Sequence, residues 1–219
     1  MQEGFSLKVH PEGTLIWFTG IPASGKSSVA VVVEKALRER GLKVENLDAD
    51  EIRAHLSPEL KWSKEDRDLN TKRLAYIGKM LTRNGVFVIV AATSSYRYFR
   101  DRARSMVKNF CEVWVKCPLE VCQRRDPKGL YKRAKDGEVN DIAGLHQPYE
   151  EPLSPEVTLE TDKETTQESA AKVMRKLEEL GFIPPAVEAK EPVRAGGEEV
   201  YTRRDEAKIK ARLRRLGYL

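Results

Sequence analysis

Apolar residues fall in short unbroken runs that alternate with longer stretches of helical periodicity. The run T-L-I-W-F-T predicts a buried strand over 14–19. V-F-V-I-V-A predicts a second over 86–91, apolar throughout, as befits a parallel strand covered on both faces. Shorter runs predict strands over 43–47, 112–116 and 157–160. Between them, Val29, Val32, Val33, Ala36 and Leu37 mark one face of a helix over 26–40, closed by Gly41. Further helices are predicted over 49–56, 63–83, 96–109, 118–125 and 165–180. Ser63 with Asp66 three residues later reads as a capping box opening the long third helix. Strands that alternate with helices specify an α/β fold. Five parallel strands are expected, with helices on both faces and right-handed crossovers.

The alternation breaks twice. Residues 126–155 are polar, rich in Gly, Pro and Lys, and too long for an ordinary connection. Such segments are lids over a site or disordered. After Pro184-Pro185 periodicity is lost. A linker is predicted over 185–200, holding Pro192 and Gly196-Gly197, followed by a basic helix over 201–219 with the narrow apolar stripe Ile209, Leu213 and Leu216.

Composition bounds the function. With 219 residues, 40% of them hydrophobic, the chain can bury one continuous core and carry an appendage. It holds no run of ~18 apolar residues, so no membrane span is expected. Met1 to Val9 lacks the pattern of a signal peptide. Cys111, Cys117 and Cys122 are odd in number and lack Cys-x-x-Cys spacing. They read as reduced core thiols of a cytoplasmic protein rather than as a disulfide or zinc framework. His10, His55 and His146 are too scattered for a metal cluster. A net charge of +5 suits anionic small molecules and does not call for nucleic acid. The charged share, 33%, leans toward a heat-tolerant protein.

The chemistry begins at Gly20-Ile21-Pro22-Ala23-Ser24-Gly25-Lys26-Ser27. This octet fits G-x-x-x-x-G-K-[ST] between a predicted strand and a predicted helix, which is the context that motif needs. Glycines let backbone N–H groups turn around phosphate oxygens, and the helix N-terminus adds positive potential. Lys26 would reach the β- and γ-phosphates, Ser27 would ligate Mg²⁺ together with water, and Ser28 continues the loop into the helix. Mg-ATP is the expected cofactor. The guanine-reading motif N-K-x-D is absent, and a short chain with a long lid has the build of a small-molecule kinase.

On the acceptor side, Asp48 and Asp50 close the second strand, at the rim where open α/β sheets bind ligands. Asp50 is the stronger candidate to take the acceptor's proton or hold Mg²⁺ through water. Arg53 follows, and Arg67, Asn70 and Arg73 at three-residue steps form a helix face suited to an anionic acceptor. Trp62 can stack on a base. Arg124-Arg125 opens the lid, where an arginine lies over adenine or touches phosphate, and Lys128 to Arg133 continues it with charge. The residues alone leave the acceptor open. They also fit a kinase for another anionic hydroxyl compound, or a nucleotide-binding regulatory domain docked through its basic tail. Intact Lys26, Ser27 and Asp50 weigh against the last.

Several stretches together resemble the adenylylsulfate kinase family of P-loop kinases. They are W-F-T-G-I-P-A-S-G-K-S, D-A-D-E-I-R, W-S-K-E-D-R-D-L-N, S-S-Y-R with D-R-A-R, and above all P-L-E-V-C-Q-R-R-D-P-K-G-L-Y-K-R-A followed by P-Y-E-E-P. The resemblance covers roughly residues 5 to 182. It implies a P-loop nucleoside triphosphate hydrolase-like three-layer fold in a kinase domain spanning 1–184, its lid at about 126–155. It implies transfer of the ATP γ-phosphate to the 3′-hydroxyl of adenylyl sulfate, as part of sulfate assimilation. By position, Asp50 would be the base or aligner for the 3′-hydroxyl, and Arg53, Arg67 and Asn70 would bind the phosphosulfate. Trp62 would stand for the family's stacking phenylalanine, and Lys128 would neutralise the transferring phosphate. Ser94 aligns with a serine that some members carry as phosphoserine, although direct in-line transfer is expected. Ile142 takes the place of a second stacking aromatic. The chain departs from the family at Ala49, at Thr93 and Ser95 in place of I-S-P, at Asn140, and at His146 in place of an acid. A homodimer is implied. The tail lies outside the family pattern, and its helix would pack on its own domain, on a dimer mate or on a protein partner of the same sulfur pathway.

Overall fold

The computed structural model describes residues 12–185, and beyond them only Lys210 and Arg214, both helical and exposed. The remainder of the linker and of the basic helix predicted over 201–219 lies outside the described residues. The elements run β1 (Leu15–Thr19), α1 (Lys26–Glu39), β2 (Val44–Asp48), α2 (Ala49–Leu56), α3 (Lys64–Thr82), β3 (Phe87–Ala91) and α4 (Arg97–Met106). They continue with β4 (Phe110–Lys116), α5 (Leu119–Arg125), α6 (Leu130–Lys135), β5 (Val157–Glu160) and α7 (Thr166–Glu179). No helix among the described residues is long and apolar enough to cross a membrane.

All five strands are parallel, in the order β2-β3-β1-β4-β5. β1 is wholly buried between β3 and β4, with Leu15 opposite Val88 on one side and Phe110 on the other. Side chains of period two divide the core. Ile16, Phe18, Val113 and Leu159 face α1 and α7 through Val29, Val33, Leu37, Val173 and Leu177. Leu15, Trp17, Val88 and Val90 face the other layer through Leu74, Ala75 and Ala103. From β1 the chain goes first to the edge strand β2, returns to β3 beside β1, and then crosses to β4 and β5 on the other side. The strand order thus reverses around β1, and the crevice beyond the strands' carboxyl ends opens where β1 delivers its loop.

Three expectations need correction. The helix predicted over 96–109 ends at Met106, because Phe110 already belongs to β4 and Asn109 donates its side-chain amide to Glu12 O and Gly13 O, tying it to β1's approach. Ser63 does cap α3, accepting from Asp66 N at 3.1 Å, but the box is open: the Asp66 carboxylate turns to Lys61 N instead. The closed box belongs to Thr165 and Glu168 at α7. The segment over 126–155, expected to be polar and either a lid or disordered, contains α6 and takes part in a small apolar core. Tyr131 and Ile142 pack there with Cys117 and Cys122, against Ile21 and Ala23 of the loop after β1. All three cysteines are buried free thiols.

Candidate active site

The loop from Gly20 to Ser27 follows β1 and opens α1. A Cβ at Gly20 would fall 2.5 Å from the Val115 carbonyl oxygen, so that position must stay bare. Ala23 and Gly25 adopt positive φ, 60° and 97°, which turns the loop tightly around its centre. Into that centre reaches Lys26, donating to Gly20 O at 3.0 Å and Ile21 O at 2.8 Å. Burial pushes its ammonium down from the ordinary 10.5 to about 8. The Ser24 hydroxyl is buried without a partner, and Thr161 donates to its carbonyl at 2.7 Å. Arg125 reaches the same place, bonding Thr161 O at 2.5 Å and Thr161 Oγ1 at 3.3 Å, on the flank of the loop away from β2. Ser28 lies in the first turn of α1, half-buried.

A cleft of about 1120 Å³ runs from this loop to the lid. Pro22, Lys26 and Ser27 form one wall, and Asp50, Arg53, Trp62 and Arg67 form the other. The two aspartates after β2 separate cleanly. Asp48 is the N-cap of α2, accepting from Asp50 N at 2.9 Å and Glu51 N at 3.3 Å. That leaves the Asp50 carboxylate to the cleft, where Lys128 of the lid meets it at 2.7 Å. Arg53 donates to Lys61 O at 2.6 Å, and its guanidinium lies 4.4 Å from the centre of the Trp62 ring. Arg67 holds Trp62 O at 2.8 Å, approaches the same ring at 5.6 Å, and reaches across to the Asp141 carbonyl in the lid. Burial lowers the pKa of both arginines from the ordinary 12.5, yet both stay charged. The cleft therefore carries an aromatic ring with two guanidiniums against it.

Asn70 lies deeper. Its side chain is buried, its Oδ1 has no partner, and it faces a side pocket of about 80 Å³ shared with Thr93, Ser94 and Ser95. The Ser94 hydroxyl accepts from the Trp17 indole at 3.1 Å. Arg73, read with Arg67 and Asn70 as one face, does not join the site. It ties the α2–α3 connection by bonding Leu56 O, Ser57 Oγ and Glu59. Ile142 lines the cleft from the lid, but its side chain is almost wholly enclosed by the lid core. His146 turns back on the lid, its Nδ1 receiving Ile142 N at 3.4 Å.

Three participants escaped the sequence reading. Tyr131 bonds Pro22 O at 3.0 Å and so pins α6 to the phosphate loop. Thr161 braces Ser24. Arg100, in the run R-Y-F-R-D-R-A-R, passes for one more surface cation. Its signal was position: it sits beside Phe99 and three residues before Ala103, on the inward stripe of α4.

No group of three His, Cys, Asp or Glu side chains converges among the described residues. A magnesium ion here would draw on a hydroxyl, water and phosphate oxygens, as that ion commonly does. The hydroxyl of Ser27, beside Lys26 in the cleft wall, fits.

The family model for adenylylsulphate kinase matches residues 12–160. The adenylyl-sulfate kinase of Rippkaea orientalis is 47% identical over 80% of this chain and 97% of its own. The probable adenylyl-sulfate kinase of Pyrococcus abyssi is also 47% identical, over 79% of this chain and 99% of its own. Among solved structures, the Mycobacterium tuberculosis APS kinase in complex with AMPPNP and APS superposes with a TM-score of 0.74 at 39% identity, covering 77% of this chain and 99% of that one. The loop, the paired Asp50 and Lys128, and the arginine-flanked Trp62 all fall within the matched segment, and on this evidence the chain belongs to the adenylylsulphate kinase family.

Proposed function

We infer that the chain catalyses ATP-dependent phosphorylation of the 3′-hydroxyl of adenylyl sulfate, giving 3′-phosphoadenylyl sulfate and ADP. The observation that carries this is the single cleft joining the phosphate loop to Asp50 and to the Trp62 face with its two guanidiniums. An acceptor that carries both a base and a phosphosulfate meets a stacking surface and fixed positive charge there. The solved relative named with AMPPNP and APS supports the same pair of substrates.

The chain's own groups divide the work. Gly20 to Ser28 cradle the triphosphate, Lys26 leaves its carbonyl partners for the β- and γ-phosphates, and Arg125 flanks the nucleotide beside Thr161. Ser27 would hold Mg²⁺ with water, and the ion would neutralise charge on the β- and γ-phosphate oxygens. Trp62 stacks on the acceptor's base, Arg53 and Arg67 take its anionic groups, and Asn70 offers its free Oδ1. The acceptor oxygen forms its bond to the γ-phosphorus as the bond to the ADP oxygen breaks, and Asp50 accepts the hydroxyl proton. Lys128, already at Asp50, follows the transferring phosphoryl group and excludes water with the lid. Ser94 is a wall of the acceptor pocket, and transfer is direct. Ile142 shapes the lid over the base.

Working as a homodimer is part of this reading. A relative from Thiobacillus denitrificans is described as a hexameric APS kinase, and sedimentation of the full chain separates the two assemblies. The decisive test is an ADP-release assay with Mg-ATP, with and without adenylyl sulfate, the product identified by mass. Release that depends on adenylyl sulfate and yields the 3′-phosphorylated product is expected. ATP binding without such turnover would defeat the assignment.

A further inference from the structure

Arg100 is only 1% exposed and stands behind the acceptor pocket, not in it. Its three guanidinium nitrogens have separate partners. Nε donates to Glu112 Oε1 at 2.7 Å, Nη1 to Ser94 O at 2.6 Å, and Nη2 to Glu150 O at 2.6 Å. Those partners come from β4, from the loop after β3, and from the return of the lid. The loop after β3 is held at every step. Thr93 O accepts from Thr19 at 2.7 Å, Ser94 O from Arg100, and Ser95 O from Glu150 N at 2.7 Å. Three successive carbonyls are thus fastened on one side, and Ser94, between them, is kept at a φ of 44°, a region few side-chain-bearing residues adopt. Thr93, Ser94 and Ser95 also line the pocket that Asn70 and Arg67 face. Thr19 further meets the Tyr149 hydroxyl at 3.0 Å, so the lid return and the pocket loop share a second fastening.

We propose that Arg100 is a positioning residue for the acceptor: one planar guanidinium sets the spacing between the Ser94 loop and the lid return at Glu150, and thereby the shape of the acceptor pocket. The inference rests on the adenylyl sulfate reading for its kinetics but not for its geometry. Glu112 anchors the fork and keeps a second cation, Arg104, at 3.4 Å. Arg100 itself bonds no residue of the phosphate loop, and the network approaches that loop only through Thr19, the residue before Gly20. The acceptor half of the site therefore depends on it more than the ATP half does.

Arg100→Lys is the discriminating variant. It keeps a positive charge beside Glu112 but cannot span three partners, because an ammonium is a point donor without the planar fork. The wild type is assayed first with adenylyl sulfate, and its failure to turn over would sink the function without touching Arg100. For Arg100→Lys, the acceptor KM is expected to rise about tenfold or more with a fall in kcat, since a shift of about 1 Å in a positioned substrate costs up to about a hundredfold. Mg-ATP affinity is expected to stay as in the wild type. Amide hydrogen exchange, which needs no substrate, is expected to quicken together at 93–96 and 149–151. Glu112→Gln retains an acceptor for Nε but gives up the charge, and is expected to raise the acceptor KM less than Arg100→Lys does. If Arg100→Lys fails to fold, the paired Arg100→Met/Glu112→Met variant removes both charges and goes through the same comparison. The proposal is overturned if Arg100→Lys, or the paired variant where Arg100→Lys does not fold, keeps a wild-type acceptor KM, or if the acceptor and ATP KM values rise alike.

Discussion

Lys128 Nζ lies 2.7 Å from Asp50 Oδ2, joining the lid to the carboxylate that β2 and α2 place in the cleft. Both side chains are largely exposed, 44% and 60%, so the pair contributes little to stability. Its meaning is positional. The group assigned to take the acceptor's proton and the group assigned to follow the phosphoryl charge already share one point in space.

The two aspartates after β2 are expected to separate in function as they do in geometry. Asp50→Asn should lower kcat by roughly 100- to 10,000-fold, the usual range for removing a general base, with unfolding unchanged. Asp48→Ala should instead cost about 1 kcal/mol of stability through loss of the α2 cap, read by urea denaturation. A variant of Asp50 that turns over normally would remove it from the mechanism.

Arg67→Ala is expected to raise the acceptor KM roughly 10- to 100-fold, the scale of a hydrogen bond to a charged group. The ATP KM should move far less, because Arg67 touches Trp62 and Asp141 and not the phosphate loop. Steady-state kinetics with each substrate varied in turn decides this, and equal shifts would put Arg67 on the wrong side of the cleft.

Lys26 gives a pH prediction. Its folded value, about 8, is below its unfolded one, 10.5. Between these values the unfolded chain holds more protons, so this group's contribution makes stability rise with pH across that window. Phosphate oxygens near the amine reverse the shift, so binding pre-formed Mg-ADP at pH 8.5–9 should take up protons. Calorimetry in buffers of different ionisation enthalpy reads that uptake, and Lys26→Met should abolish it. Proton release on binding would contradict the assignment.

Gly144 has a φ of 84°, and a Cβ there would meet Ile21 Cγ2 at 2.7 Å. Gly144→Ala is expected to destabilise the lid by about 1–3 kcal/mol, combining backbone strain with overpacking. Limited proteolysis within 126–155 should accelerate while the sheet keeps its protection. Unchanged cleavage would mean that the lid does not lean on Ile21.

The pattern of runs and periods located all five strands. β1 and β3 are apolar almost without interruption because both their faces are covered, and the shorter runs of β2, β4 and β5 stand out between helical stretches although polar residues interrupt them. It also located the phosphate loop, whose chemistry is written in consecutive residues. It overran α4, since Val107 to Asn109 hold no Gly or Pro to stop a helix; the stop comes from strand pairing with Leu15, which is remote in sequence. It grouped Arg73 with Arg67 and Asn70 by spacing, but spacing gives a face and not its neighbours, and Arg73 faces Glu59. Arg100 has a place on the inward stripe of α4, but spacing does not say what it meets there, and its partners Glu112 and Glu150 come from other segments. The lid's core was hidden because its apolar residues are sparse and are completed by Ile21 and Ala23 from elsewhere.

That borrowed core has a consequence for transplantation. The variable positions of the phosphate-loop motif are free in principle, since the motif's chemistry rests on its glycines, lysine and serine. Here Ile21 and Ala23 are structural members of the lid, and the Pro22 carbonyl is its anchor point. A loop grafted in from an unrelated nucleotide-binding protein, with every motif residue intact, would bind phosphate and leave the lid without a floor.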